Sequence, residues 1–189
     1  MGLDLMVFTM AIEEAFEIRF PDEDMLAITT PRKLIDYVIA RVPKANADVC
    51  LSQRAFYRLR SSLVGQIGCS HSALRPDTPL LALIPIAERD AIWDRVRQDI
   101  GLANSKRWTR LAERGWFDLF REPRIGTLRD AVAFVVTRHA VVAKGRDAGW
   151  TREQVAEVVH GLMREDLGIN FECDEYTDDM RWQEDMGIC

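Results

Sequence analysis

The stretch "ITTPRKLIDYVIAR" (28–41) aligns without a gap on "IGTLRDAVAFVVTR" (125–138), with identical residues at 28/125, 30/127, 32/129, 38/135 and 41/138. A second pair, offset by 99 residues, matches Ser52 with Thr151, Phe56 with Val155, Leu59 with Val158 and Leu63 with Leu162. Two such pairs in consistent order constrain the chain to two copies of one small helical unit, with one copy split between the chain ends. The apolar spacing is helical throughout. Leu3, Met6, Val7, Met10 and Ala11 form one stripe, broken at "FPDED", where Pro21 cannot continue the backbone ladder. Thr30-Pro31 opens a second helix, whose stripe is Leu34, Ile35, Val38, Ile39 and Val42. A third starts at Ser52, carries Phe56, Leu59, Leu63, Val64 and Ile67, and ends at "GCSHS". A loop follows with Leu80, Leu83 and Ile84 expected to be buried, then a helix near 87–100 with Ile92, Val96 and Ile100. Thr127 caps a helix burying Leu128, Ala131, Val132, Val135 and Val136. Thr151 and Gln154 have the spacing of a capping box ahead of Val155, Val158, Val159, Leu162 and Met163, and Gly168 suits the left-handed end of that helix. With no useful β-alternation, the expected class is all-α.

Charge divides the 189 residues in the same way. Residues 1–48 hold nine acids against five bases (−4), 49–148 ten against seventeen (+7), and 149–189 eleven against three (−8), for a net −5. The acidic ends are expected to belong together and the basic middle to stand apart. The four cysteines, Cys50, Cys69, Cys173 and Cys189, form no C-x-x-C pair, so neither a zinc ribbon nor a disulfide scaffold is expected. No apolar run reaches the ~18 residues of a membrane span, and no secretory leader pattern opens the chain. A reduced, cytoplasmic protein is the expectation.

The phrases "MAIEEAF", "FPDED", "ITT" and "IDYV", within "GLDLMVFTMAIEEAFEIRFPDEDMLAITTPRKLIDYV", resemble the second half of an acyl carrier protein domain. The segments "TREQVAEVVHGLMREDLGI" and "MRWQEDMG" resemble the first half of such a domain. The resemblance implies two carrier-like helical bundles: a circularly permuted one made of 1–46 plus 149–189, and a fainter, diverged copy at 50–142. The joining segments are 43–51 and 140–150. The permuted domain is expected to be one four-helix bundle in which Leu3, Met10, Phe16, Leu34, Ile35 and Val38 share a core with Val155, Val158 and Leu162. A domain-swapped oligomer is its rival.

Carriers hold phosphopantetheine on a serine that opens the second helix. In this sequence Gly2 stands at that position and has no nucleophilic oxygen, while Glu88 is nearest to it in the middle copy; Ser61, Ser62, Ser70, Ser72 and Ser105 lie outside any such motif. No prosthetic group, catalytic residue or metal is therefore expected. What the resemblance leaves is a docking face, Asp4, Glu13, Glu14 and Glu17, facing either a protein partner or simply water. Partners would be enzymes of fatty-acid or polyketide type, or another carrier. Alternatives are a working carrier with an atypical attachment site such as Cys189, whose acidic surroundings argue against a reactive thiolate, and an unrecognised small enzyme. His71, His139 and His160 fall in three different segments without metal-ligand spacing. In the basic-aromatic segment 106–124, Trp108, Leu111, Ala112, Trp116, Leu119 and Phe120 recur at helical spacing, as core residues do. Nucleic acid is not an expected partner of this net-acidic chain.

Overall fold

The computed structural model describes residues 3–45, 49–103, 108, 109, 111, 125–145, 148–171 and 176–188. All regular elements among them are helical: α1 (Leu3–Phe16), α2 (Asp22–Met25), α3 (Pro31–Arg41), α4 (Leu51–Ile67), α5 (Leu80–Leu83), α6 (Arg89–Asp99), α7 (Leu128–Arg138), α8 (Ala140–Lys144) and α9 (Arg152–Asp166). Two isolated bridges, Lys44 with Trp150 and Pro79 with Thr127, are the extended pairings among the described residues. The chain forms two compact units: Met1–Val49 with Thr137–Val141 and Gly145–Cys189, and Cys50–Val136 with Val142–Lys144.

In the first unit α9 is the element on which α1 and α3 both pack. Thr151 accepts from the Gln154 amide while the Gln154 side chain accepts from the Thr151 amide, closing the capping box. Val155, Val158, Val159, Leu162 and Met163 are then fully buried, each by roughly 1.5–3 kcal/mol of transfer free energy. Gly168 takes φ 69°, and the Ile169 amide donates back to Met163, a left-handed helix end that glycine adopts without strain. Thr30 caps α3 through the Lys33 amide, with Pro31 in its first turn, and Leu34, Ile35 and Val38 are buried. Asp24 accepts from the Tyr37 hydroxyl at 2.7 Å and from Arg41 at 3.0 Å. Burial, reinforced by Asp24, pushes the Tyr37 hydroxyl up to about 12.

Three residues of the stripe expected on α1 lie on the wrong side, while Ala11 is buried as expected. Met6, Val7 and Met10 are 46–49% exposed, whereas Leu5, Phe8, Ala11, Ile12, Ala15 and Phe16 are buried. The helix is apolar over most of its circumference, so two faces satisfy the helical spacing. The one with the larger side chains turned inward, Phe8 against Trp182 and Phe16 against Trp150. Met10 therefore does not join the shared core, while Phe16, Leu34, Ile35, Val38, Val155, Val158 and Leu162 are all buried. The Leu3 side chain lies outside what is described.

In the second unit α4 packs on α6. Helix α4 starts at Leu51 with Cys50 at its N-cap and without a side-chain cap, so Ser52 is not its opening residue. Leu59 and Leu63 are buried, while Phe56, Val64 and Ile67 are half-buried, as is Leu83 in the short α5. Thr127 and Asp130 cap α7 reciprocally: each side chain accepts from the other's amide. Trp108 stacks on Trp93 at 4.7 Å and meets Phe134 edge-on, and Leu111 is buried. These two positions agree with the core stripe; Ala112, Trp116, Leu119 and Phe120 lie outside the described residues. Within the joining segment 140–150, α8 occupies the first half and buries Ala140 and Ala143.

A loop is fixed to the start of a long helix in the same way in both units. In the first, the Arg32 amide donates to the Asp178 carbonyl, the Arg32 guanidinium grips Asp179, and the Trp182 amide donates to the Thr29 carbonyl. In the second, the Arg129 amide donates to the Pro76 carbonyl, the Arg129 guanidinium grips Asp77, and the Leu80 amide donates to the Gly126 carbonyl. The register is the same. Each arginine meets a carbonyl and the carboxylate one residue later, and the amide four residues past that carbonyl returns to the residue three before the arginine. Buried Ile28 and Ile125 stand at equivalent places, and in the first unit the Trp182 indole also donates to the Ile28 carbonyl at 3.0 Å.

Two perturbations test the first unit. A Cβ on Gly149 would lie 2.1 Å from the Lys44 carbonyl oxygen, beside the Trp150-to-Pro43 and Ala45-to-Trp150 hydrogen bonds. Gly149→Ala should cost on the order of 2 kcal/mol or more in denaturant unfolding, since backbone must move. The Arg138 guanidinium, 11% exposed, bonds both Glu165 and Asp166, and burial holds the Glu165 carboxyl above its ordinary range. Arg138→Leu should cost about 3 kcal/mol at neutral pH by stranding buried charge. That cost should shrink on acidification, since a raised folded pKa means the native state takes up the Glu165 proton before the unfolded chain does.

Candidate docking face

Helix α1 presents one outward face. By helical geometry, about 100° per residue, Met6, Val7, Met10, Glu13 and Glu14 lie on the side opposite the buried stripe, and the exposed Glu17 follows just past the helix end. Asp4 is exposed but sits about a third of a turn away, in the first turn. The structure therefore joins Glu13, Glu14 and Glu17 with three apolar side chains the sequence had placed inside, and leaves Asp4 aside. Exposed methionines adapt to irregular partner surfaces at little conformational cost, and carboxylates beside them set orientation.

The C-terminal end of this face is tightly built. The Ile18 amide donates to the Glu13 carbonyl at 3.1 Å, and the Glu13 carboxylate accepts from the Phe20 amide at 2.8 Å. Glu17 sits between them at φ 55°, the one non-glycine residue with positive φ among those described. This is the position where helices favour glycine, and a side chain there costs about 1 kcal/mol. Glu17 thus holds a strained position at the rim of the exposed apolar strip.

Other candidates are placed as follows. His160 and the Tyr176 hydroxyl both meet Asp178, at 2.7 and 2.8 Å, and Phe171 lies 5.1 Å from the His160 ring. Burial first, and then Asp178, pushes the Tyr176 hydroxyl up. These contacts latch Tyr176 and Asp178 onto α9. Sequence reasoning missed them because the three residues come from α9 and an irregular stretch. His71 is exposed and accepts Arg60 on its carbonyl, and His139 precedes α8. Among the described residues no group of three His, Cys, Asp or Glu could hold a metal, and no helix is long and apolar enough to cross a membrane. Gly2 and Cys189 lie outside the described residues.

A family model described as "phosphopantetheine attachment site" matches residues 3–38. That segment covers α1, α2 and most of α3, about a fifth of the chain, and it is similar to carrier domains, which work by meeting partner proteins. No solved structure matches the chain. The matched segment, residues 3–38, holds no serine, the residue that carries phosphopantetheine in carriers. Residues 1–51 and 149–189 contain no serine. The described hydroxyls of the matched segment are engaged: Thr9 donates to the Leu5 carbonyl, Tyr37 to Asp24, Thr30 caps α3, and Thr29 accepts from Lys33.

Replacing Glu17 by glycine tests the strain. Glu17→Gly should raise stability by about 0.5–1 kcal/mol in chemical denaturation; an unchanged or lowered stability would mean that the carboxylate contributes more to the native state than its backbone costs.

Proposed function

We propose that this is a carrier-like protein that has given up phosphopantetheine and catalysis and acts by protein–protein contact through the outward face of α1. The observation that carries this reading is the clamp made twice in the same register, by Arg32 with Asp178 and Asp179 and by Arg129 with Pro76 and Asp77. It supports treating the two units as copies of one bundle. In the second, the order runs α4, clamped loop, α5, α6, α7; in the first, α9, clamped loop, α1 and α3 correspond to α4, clamped loop, α6 and α7 once the chain ends are joined, while α2 and α5 have no counterpart among the described residues. In this reading the first unit is a permuted carrier domain.

Without a serine in 1–51 or 149–189, the first unit has no hydroxyl of the kind that takes the phosphodiester in carriers, and Glu88 supplies none in the second. What remains is recognition. Met6, Val7 and Met10 offer apolar contact and Glu13, Glu14 and Glu17 offer negative charge, which suits a shallow apolar groove rimmed by Lys and Arg. Enzymes of fatty-acid or polyketide type, which bind carriers, are the partner class.

Incubating the chain with a phosphopantetheinyl transferase and coenzyme A, and measuring intact mass, tests the loss of the prosthetic group. The expected result is an unchanged mass. An added phosphopantetheine, mapped by peptide sequencing to Cys189 or to any serine, would overturn it and make the protein a working carrier.

A further inference from the structure

Helix α4 carries Arg54, Arg58 and Arg60 and no acid. Arg58 donates to the Val142 carbonyl, Arg60 to the His71 carbonyl and Arg95, from α6, to the Gln66 amide oxygen. These partners are neutral, so the positive charge of this face is uncompensated by them. Beside it lies an open cavity of about 380 Å³ lined by Arg58, Ser61, Ser62, Gly65, Asp99 and Ile100. The one acid of that lining, Asp99, accepts from Ser62 at 2.7 Å and Gln66 at 2.9 Å and offsets part of the charge of Arg95. Gly65 forms the bare stretch of the helix surface. It has no positive φ, and a Cβ there would meet nothing within 4 Å, so neither backbone nor packing in this chain requires a glycine mid-helix, where alanine is more stable.

The same chain carries the chemical complement of this face. With α1 running forward and α4 running backward, Met6 stands opposite Gly65, Met10 opposite Ser61, Glu14 opposite Arg58 and Glu17 opposite Arg54. The α4 series spans eleven residues, about 16 Å of helix; the α1 series follows it through positions 6, 10 and 14, in steps that keep each on one face, with Glu17 just past the helix end. The long apolar side chains of one helix fall on the small residues of the other, and carboxylates fall on guanidiniums. From this register we infer that α1 of one copy of the protein docks antiparallel in the α4 groove of a second copy. Self-association then covers the helix that the proposed function offers to enzymes, so it regulates that face. The inference rests on α1 being a docking helix, but its failure would leave enzyme binding by a monomer untouched.

Sedimentation velocity on the full chain, from micromolar to hundreds of micromolar at low and high salt, tests it. Association that grows with concentration at low salt and weakens at high salt is expected. Arg54→Glu with Arg58→Glu in one variant, and Glu14→Arg with Glu17→Arg in another, should each weaken association by about tenfold or more. Mixing the two variants should restore it, since the unaltered α1 of the first meets the unaltered α4 of the second and the reversed pair also attracts. Gly65→Leu should weaken association while circular dichroism shows the helices intact. A chain that stays monomeric at low salt, variants that associate like the parent, or a mixture that fails to recover would overturn the inference. So would a slowly exchanging, salt-insensitive domain-swapped dimer.

Discussion

The stripe Val155, Val158, Val159, Leu162 and Met163, wholly withdrawn from water, is what the first unit depends on. Neither α1 nor α3 can bury its own inner face, and they lie more than a hundred residues from α9 in sequence. Closing so long a loop costs entropy that grows only logarithmically with length, whereas each large apolar side chain on the stripe gains roughly 1.5–3 kcal/mol by burial. The capping box at Thr151 and the left-handed turn at Gly168 set where this helix begins and stops, so its apolar residues arrive in one register against both partners.

The arginine clamps add what burial cannot, a defined position for an irregular loop. Ion pairs as exposed as Arg32 with Asp179 or Arg129 with Asp77 contribute little alone. Their effect comes from the flanking backbone hydrogen bonds, which satisfy amides at the helix start that would otherwise have no partner in the helix. A threonine cap, an arginine two residues on and a loop carboxylate together form one device, used in both units.

On α1 the same physics leaves something over. A helix buries about one face in a small bundle, and this helix has apolar residues for nearly two. The second, Met6, Val7 and Met10, remains exposed beside Glu14, Glu13 is half-buried against the Phe20 amide, and Glu17 keeps a strained backbone beside them. A chain selected for stability alone would place polar residues at 6, 7 and 10 and glycine at 17. This is the surface the proposed docking uses.

Sequence alone determined the helical class, the caps at Thr30, Thr127 and Thr151, the left-handed Gly168 and the inner faces of α3, α6, α7 and α9. Each of these follows from chemistry within one or two turns. It also held the repeat of 28–41 on 125–138, with Arg32 and Arg129 aligned, but not what those arginines hold, because Asp179 and Asp77 lie in loops with no periodicity. The inward face of α1 was decided only in the tertiary structure. Local spacing allowed either side, and the contest went to the side whose Phe8 and Phe16 could reach Trp182 and Trp150. The latch of His160 and Tyr176 on Asp178 was settled there too, since nothing along the chain places a loop carboxylate over a helix until the core has closed beneath it.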